Sequence, residues 1–202
     1  MEVQFTQEDN KRIRDGIQEK YIKVAVNPDG LFSYPTGRPG LEVLGYDPIV
    51  LSSLPNEVSA YYCGVGNPFS LGEINKGEAV LDIGCGVGVD VIFAAKIVGA
   101  KGNVVGIDLV SEMLDRGKTN IQSMDLQNVT FVGGSAGKLD FPDKSFDVVI
   151  SNGVFNLIPN KERAIAETFR LLKPGGRFII ADQVLIGKLE KDLKARIDTW
   201  FQ

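Results

Sequence analysis

The chain has 202 residues, of which 44% are hydrophobic and 24% are charged, and its formal net charge is −4. This length suits one domain with a sizeable hydrophobic core. The slightly acidic balance argues against a nucleic-acid partner, because binding phosphates generally needs a basic surface. Since the chain has no histidine, histidine-based acid–base catalysis is excluded and neither a zinc enzyme nor another metal site is expected.

Membrane and redox features of the sequence indicate its compartment. No apolar run is long enough to span a bilayer, and no signal peptide opens the chain. The two cysteines, Cys63 and Cys85, are too few for a disulfide framework. We therefore expect a cytoplasmic protein without a membrane span.

Residues 1–78 are predicted to form an N-terminal helix followed by a segment that wraps the surface. Apolar side chains recur at helical spacing in its first part: Ile13, Ile17, Tyr21 and Val24. This stripe predicts an amphipathic helix lying on the domain, with a basic helix at a membrane surface as the alternative. Residues 27–55 are rich in proline and glycine, and we expect them to form either a lid over substrate or inert packing.

The most informative segment covers residues 80–89, with the sequence V-L-D-I-G-C-G-V-G-V. An apolar strand leads into glycines at alternate positions, and an apolar helix follows. Such a turn lets a nucleotide-like ligand approach backbone N–H groups at a helix N-terminus. The dinucleotide fingerprint places its third glycine three positions after the second, whereas Gly88 comes two positions after Gly86. A tight turn without a ligand is the alternative.

The pattern D-x-G-x-G-x-G, formed by Asp82, Gly84, Gly86 and Gly88, resembles the first motif of S-adenosylmethionine-dependent methyltransferases. The resemblance implies S-adenosyl-L-methionine as the cofactor. Asp82 is then expected to contact the methionine portion of the cofactor directly or through water. Cys85, between two of the glycines, is expected to be a small buried side chain beside the cofactor and not a reactive thiol.

Strands and helices alternate after residue 78, within a predicted domain of residues 79–202. The predicted strands cover residues 79–83, 103–107, 129–132, 146–150 and 177–180. This β–α repetition predicts an α/β fold: a mostly parallel sheet, helices on both faces and a ligand crevice at the carboxyl ends of the strands.

Three helices are predicted between these strands. They cover residues 89–98, about 111–124 with Ser111 as the N-cap, and a segment that begins at Asn160. In the last of them, Ile165, Phe169 and Leu172 form one apolar stripe. The sequence K-P-G-G at residues 173–176 is predicted to end that helix.

Side chains at the predicted strand ends supply candidate cofactor contacts. Asp108 ends the second strand, where its carboxylate would accept hydrogen bonds from both ribose hydroxyls; a carboxylate that merely favours the following helix is the alternative. Leu109 and Met113 would flank the adenine with apolar surface. Ser135 and Ala136, after the third strand, would meet the adenine edge.

The end of the fourth strand supplies the remaining candidates. Asn152 and Gly153 end this strand, and Asn156 follows one turn later. We expect these three residues to face the sulfonium and the incoming nucleophile. Asp182 and Tyr34 are weak candidates for a general base, and a packing role is preferred for both of them.

A closer resemblance comes from a series of short motifs. These are L-G-Y-D-P at 44–48, L-P at 54–55, G-V-G-N-P at 64–68, I-S-N-G-V-F-N-L at 150–157 and L-K-P-G-G at 172–176. Over residues 41–182 the chain resembles the arsenite methyltransferase branch of the UbiE-like methyltransferases. The resemblance implies a Rossmann-like class I methyltransferase fold, with S-adenosyl-L-homocysteine as the product of the cofactor. It assigns cofactor contacts to Asp82, Gly84, Gly86, Gly88, Asp108, Ser135, Ala136 and Asn152.

Two departures from this branch concern the methyl acceptor. Members that methylate arsenite carry a cysteine where this chain has Gly153, and another shortly after a tryptophan downstream, where this chain stops at residue 202. Trivalent arsenic prefers several thiolate ligands, and Cys63 alone cannot supply them. We therefore expect a small organic acceptor, with Asn156 and Cys63 as candidate substrate residues.

The family fold usually has seven strands, but one further helical stripe follows the fifth strand here: Leu189, Leu193, Ile197 and Trp200. We therefore expect a sheet that lacks the last two strands. A helix, a partner subunit in a homodimer or an exchanged element would cover the exposed edge. Two other functions stay open, a non-catalytic S-adenosylmethionine-binding module and, disfavoured by the glycine spacing, an NAD-dependent oxidoreductase.

Overall fold

The computed structural model describes residues 5–184, 186, 187, 197 and 200. Five strands form one sheet in the order β3-β2-β1-β4-β5, and all of their pairings are parallel. The strands are β1 (Ala79–Ile83), β2 (Asn103–Asp108), β3 (Val129–Gly133), β4 (Phe146–Asn152) and β5 (Leu172–Ala181). The predicted α/β architecture is confirmed, and β5 is an edge strand among the described residues.

The sheet carries helices that connect its strands and an N-terminal group of helices. The helices are α1 (Gln7–Val26), α2 (Gly37–Val43), α3 (Pro48–Ser52), α4 (Asn56–Ser59), α5 (Val89–Val98), α6 (Ser111–Ser123) and α7 (Lys161–Leu171). Within the described residues, none of these helices is both long and apolar enough to cross a membrane.

The two central strands are buried, as expected for a sheet covered on both faces. Val80, Leu81 and Ile83 of β1 and residues 148–150 of β4 are at most 1% exposed. The register pairs Ile83 with Ile107 on one side and with Ser151 on the other. The carboxyl ends of β1, β2 and β4 therefore lie side by side, and the turns that follow them face the same space.

The start of α1 is fixed by a reciprocal cap. The Thr6 hydroxyl accepts a hydrogen bond from the Asp9 backbone N–H, and the Asp9 carboxylate accepts one from the Thr6 N–H. The predicted amphipathic helix is confirmed, since Ile13 and Val24 are fully buried. The Arg116 side chain of α6 donates a hydrogen bond to the Ala25 carbonyl and holds the end of α1 on the domain.

The predicted apolar stripe of α7 is wrong. Ile165 and Phe169 are 51% and 80% exposed, whereas Ala164, Thr168 and Leu171 are buried. The helix is turned by about one residue from the predicted orientation. Thr168 is buried at no cost in hydrogen bonding because its hydroxyl donates to the Ala164 carbonyl at 2.9 Å.

The strand β5 begins earlier than predicted. Phe146 pairs with Leu172 and Val148 with Arg177, so residues 173–176 form a long bulge inside the strand. Proline has no N–H for the sheet ladder and is tolerated at such a bulge on an edge strand. The K-P-G-G segment does follow the end of α7 but does not separate the helix from the strand.

Two smaller predictions concern helix ends. Ser111 does not cap α6, because Val110 is the N-cap residue and the Ser111 hydroxyl contacts the Glu112 carboxylate at 3.0 Å. Of the predicted final helix, Leu189 and Leu193 lie outside the described residues. Ile197 is 3% exposed, and the Trp200 indole N–H donates to the Leu157 carbonyl at 2.9 Å.

Candidate functional site

A cavity of about 1050 Å³ lies at the carboxyl ends of the strands. We call its strand side the floor: residues 82–87, 89, 90, 107–110, 113, 134–138 and 152–154. We call the opposite side the roof: residues 7, 10, 11, 13–15, 17, 18 and 21 of α1, together with the loop at 61–64. Residues 157–160 and 163 complete the wall beside α7.

The glycine turn shapes the middle of the floor. Gly84 and Gly86 have φ values of +76° and +51°, a region that favours glycine. A Cβ atom on Gly84 would lie 2.2 Å from a methyl carbon of Val154. A Cβ atom on Gly86 would meet nothing within 4 Å and would instead occupy the cavity.

The backbone donors of this turn are used within the protein. The N–H groups of Gly84 and Cys85 donate to the Ile107 carbonyl at 2.8 and 2.9 Å. Gly86 N–H donates to the Asp108 carboxylate at 2.9 Å, and Gly88 N–H donates to the Cys85 carbonyl. The prediction that these N–H groups bind the ligand is therefore wrong for these donors. The turn offers a bare backbone surface for close approach.

Asp108 joins the glycine turn to the start of α6. Its Oδ2 atom accepts the bond from Gly86, and its Oδ1 atom accepts a bond from the Val110 N–H at 2.9 Å. Burial raises the pKa of this carboxyl above its usual value, and the backbone hydrogen bonds partly oppose that rise. The Leu109 N–H also interacts with this carboxyl, and the two oxygens together still have accepting capacity for a ligand hydroxyl.

Asp82 is the least satisfied polar group of the floor. It is 2% exposed, and its Oδ2 atom has no hydrogen-bond partner in the described part of the chain. Burial, followed by the nearby charges of Asp90 and Asp108, raises the pKa of this carboxyl well above its usual range. Buried carboxyl oxygens are nearly always hydrogen-bonded, so a ligand that donates hydrogen bonds fits this position.

Asn152 ties the floor to the loop at 61–66. Its Oδ1 atom accepts hydrogen bonds from the N–H groups of Val65 and Gly66 at 2.9 and 3.1 Å. Its Nδ2 atom lies 2.8 Å from the Gly66 carbonyl and 3.0 Å from the Asp90 carboxylate. Asn152 lines the cavity, but most of its hydrogen-bonding capacity is used in holding this loop.

Asp90 is a site residue that was not among the predicted ones. This residue is 7% exposed, lines the cavity and accepts a hydrogen bond from the Tyr46 hydroxyl at 2.7 Å. Tyr46 belongs to the L-G-Y-D-P motif, and its hydroxyl also lies 3.0 Å from that of Tyr62. The acidic residue in the first turn of α5 was the available signal, but it fits the usual preference for carboxylates at helix starts.

The cavity includes most of the predicted site residues. Those that line it are Cys63, Asp82, Gly84, Cys85, Gly86, Asp108, Leu109, Met113, Ser135, Ala136, Asn152 and Gly153. Gly88 and Asn156 do not line it. Gly88 has a φ of +82°, and a Cβ atom there would lie 2.7 Å from the Phe131 ring, so backbone conformation and packing account for this glycine. The backbone N–H of Asn156 donates to the Asp182 carboxylate at 3.0 Å, and its side-chain Oδ1 atom is buried with no hydrogen-bond partner among the described residues.

The roof differs from the predicted lid. No residue between 27 and 55 lines the cavity, whereas nine residues of α1 do. The lid interpretation of 27–55 is therefore wrong, because this segment packs beside the cavity and its Leu41, Tyr46 and Leu51 side chains are buried in the core. The candidate bases Tyr34 and Asp182 do not line the cavity, and the Tyr34 hydroxyl donates to the Cys63 carbonyl at 2.9 Å.

Residues 74–202 match the family described as methyltransferase domain. The chain belongs to this family. A relative from Halobacterium salinarum named arsenite methyltransferase is 34% identical over 98% of this chain and 54% of its own length. A Listeria monocytogenes demethylmenaquinone methyltransferase is 39% identical over 54% of this chain and 46% of its own length. The resemblance to both branches is confirmed.

A solved structure extends the comparison. The arsenic(III) S-adenosylmethionine methyltransferase from Chlamydomonas reinhardtii has a TM-score of 0.61 and 36% identity, covering 74% of this chain and 50% of that one. The chain thus spans about half the length of the relatives it matches. Membership of the methyltransferase domain family confirms the class I fold and implies S-adenosylmethionine as the cofactor.

The two thiols of the chain are neutral; Cys85 is buried, and Cys63 is half-buried. Burial raises the pKa of Cys63 to about 12 and that of Cys85 well above its usual value. Cys85 is 7% exposed, which confirms its predicted packing role. Among the described residues, no group of three or more histidine, cysteine, aspartate or glutamate side chains is arranged to hold a metal ion.

Proposed function

We propose that this methyltransferase domain binds S-adenosylmethionine in the cavity and methylates a small organic molecule there. The observation that carries the proposal is that three features suited to the cofactor occur together on the floor. An open backbone turn at Gly86, an anchored carboxylate at Asp108 and an unpartnered buried oxygen on Asp82 line one cavity. When bound, the cofactor supplies an electrophilic methyl group on a sulfonium, and the carbon–sulfur bond breaks as the acceptor forms its bond to carbon.

Different residues of the floor are proposed to contact different parts of the cofactor. Asp108 is positioned to accept hydrogen bonds from the ribose hydroxyls, and Leu109 and Met113 supply the apolar surface for the adenine. Asp82 would accept a hydrogen bond from the ammonium group of the methionine portion. Methyl transfer needs little covalent help from a protein, so the main contribution of the cavity is to align the reactants and exclude water.

The acceptor is proposed to be a molecule other than arsenite. Gly153 stands where the arsenite-methylating branch carries a cysteine, and its φ of +73° disfavours any side chain there. A Cβ atom at this position would also lie 3.3 Å from Val65. The remaining thiols have raised pKa values, whereas metal and metalloid ligation uses thiolates.

Calorimetric titration tests the cofactor assignment. We expect the protein to bind S-adenosylhomocysteine and not NAD. Asp108→Asn should weaken this binding about tenfold or more, because the ribose loses a charged acceptor. Asp115→Asn is the matched control, since Asp115 lies on α6 outside the cavity lining, is exposed and pairs with Lys118. Equal affinities for the two variants would contradict the ribose assignment.

A label-transfer experiment tests the acceptor. Purified protein is incubated with methyl-labelled S-adenosylmethionine and either a metabolite extract or arsenite with a thiol. Label in an organic product supports the proposal. Label in methylated arsenic overturns the acceptor assignment. Cofactor binding without label transfer favours the non-catalytic module.

The proposed organisation has two parts, an N-terminal helix with a wrapping segment at residues 1–78 and the cofactor-binding domain at 79–202.

A homodimer through the β5 edge is proposed as well. Among the described residues β5 has β4 as its sheet neighbour, and Ile180 is 38% exposed on it. Light scattering tests the dimer, and cell fractionation tests the predicted cytoplasmic location.

A further inference from the structure

The floor concentrates three acidic side chains. Asp82, Asp90 and Asp108 all line the cavity. Asp90 accepts hydrogen bonds from a tyrosine hydroxyl and an amide side chain, and Asp108 accepts them from backbone N–H groups. Four basic residues also line the cavity. Lys138 belongs to the floor, Lys11 and Arg14 belong to the roof, and Arg163 lies on α7. The floor thus presents carboxylates to whatever occupies it.

Two hydrogen bonds hold the Asp90 carboxylate in a fixed position. Its Oδ1 atom accepts the hydrogen bond from Tyr46 at 2.7 Å, and its Oδ2 atom accepts one from Asn152 at 3.0 Å. The titratable and charged groups that face it come from several elements: Tyr46 before α3, Tyr62 after α4, Asp82 on β1, Asp108 on β2, and the thiols Cys63 and Cys85. A charge held this rigidly acts on a ligand without first rearranging.

The cofactor and its product differ in charge. Near neutral pH, S-adenosylmethionine carries a sulfonium, an ammonium and a carboxylate, so its net charge is positive. After the methyl group has left, the sulfur is a neutral thioether and the product has no net charge. Burial magnifies the interaction of such charges with a nearby carboxylate.

We infer that Asp90 is a specificity residue that makes the cavity prefer the cationic cofactor over its neutral product. The inference rests on the proposed function, and it adds a role in product release. A product that has lost the sulfonium charge leaves the Asp90 carboxylate uncompensated, so it binds less tightly than the cofactor that replaces it.

Protonation provides a way to switch this preference. Burial raises the pKa of Asp90 to about 6, although its hydrogen bonds from Tyr46 and Asn152 oppose the rise. Above that pH the carboxylate is charged and favours the cation. A bound cation lowers the pKa of Asp90, so binding of the cofactor releases a proton and tightens as pH rises, while binding of the neutral product changes little.

The test measures the dissociation constants of S-adenosylmethionine and S-adenosylhomocysteine by calorimetry at about pH 5 and about pH 7, on either side of the titration. The preference for the cofactor should increase about tenfold between these conditions in the unmodified protein. Asp90→Asn should remove most of this increase. Tyr62→Phe is the control, because it removes a hydroxyl from the same network but leaves both hydrogen bonds of Asp90 in place.

The outcomes separate this inference from the proposed function. If neither compound binds the unmodified protein, the proposed function fails. If both bind and the preference is independent of pH, the specificity role of Asp90 is overturned. If Tyr62→Phe reduces the preference as much as Asp90→Asn, the geometry of the network and not the charge is responsible, and the inference again fails. The pH comparison on the unmodified protein stands even if Asp90→Asn does not fold.

Discussion

The two sides of the cavity are built in different ways. The floor consists of strand ends and glycine turns whose backbone groups bond to one another, as in the contacts of Gly84 and Cys85 with Ile107. The roof is a helix and a loop held to the domain by side chains, including Arg116 and Asn152. The floor is therefore part of the folding core, whereas the roof can be loosened by single side-chain changes without dismantling the sheet.

The largest expected effect is on the floor, from Gly84→Ala. The new methyl group would overlap Val154, and overpacking of this kind lowers the free energy of unfolding by about 3 kcal/mol. Gly30→Ala is the control for backbone strain alone, since its φ of +74° is similar and a Cβ atom there meets nothing within 4 Å. Urea denaturation measures both variants. Equal losses would show that Val154 does not confine the turn.

The next effect is the pH dependence of the ligand-free floor. The pKa of Asp90 is raised to about 6, so the folded protein holds this proton where the unfolded chain has lost it. Stability is therefore lost as pH rises from about 4 to about 6, by about 2 kcal/mol for this group. Asp90→Asn should flatten that part of the stability profile. An unchanged slope would show that Asp90 does not titrate in this range.

A smaller effect is expected where the roof meets the domain. Arg116 donates to the Ala25 carbonyl and stacks on Tyr61 at 3.7 Å, so it touches both parts of the roof. Arg116→Ala should lower the free energy of unfolding by about 1 kcal/mol and speed dissociation of S-adenosylhomocysteine several-fold. Lys118→Ala on the same helix is the control, because Lys118 pairs with the exposed Asp115. Stopped-flow measurements should separate the two variants.

The smallest effect is expected at the start of α1. Phe5 meets the Trp200 ring edge-on at a centroid distance of 5.1 Å. Phe5→Ala should cost about 0.5–1 kcal/mol and leave the affinity of the floor for its ligand nearly unchanged. Trp200 is the sole tryptophan in the sequence, so its fluorescence reports on this contact directly. An emission spectrum that is identical in the variant would show that the rings do not meet in solution.

Most floor residues could be predicted because the order of strand, glycines and carboxylates along the sequence reflects the chemistry of cofactor binding. Asp82, Gly84 and Asp108 follow from a strand that opens into glycines and from the carboxylate at the end of the next strand. The same reasoning assigned Gly88 to ligand binding, although a Cβ atom there would meet Phe131. A sequence shows that a position needs glycine, but it does not show which neighbour imposes that need.

The roof was less predictable because an apolar stripe indicates burial without naming the surface that is covered. Ile13 and Tyr21 predicted the helix α1 but not its place over the cavity. The composition of residues 27–55 indicated an irregular segment. Only the tertiary contacts show that this segment packs beside the cavity and does not cover it. The stripe of α7 failed because Thr168 counted as polar, although its hydroxyl is satisfied inside its own helix.

Phe131 limits which residues can occupy the positions around it. Its ring occupies the space left by three glycines from separate elements, Gly88, Gly106 and Gly117. Gly88 also needs its positive φ of +82°, and a Cβ atom on Gly106 would lie 2.9 Å from the Cys85 sulfur, whereas the nearest contacts of a Cβ atom on Gly117 are all with Phe131. A smaller residue at 131 would therefore relax the need for glycine mainly at 117, and covariation between these two positions is expected among related sequences. Gly88, the third glycine of the turn, thus serves both the backbone conformation there and the packing of an aromatic ring.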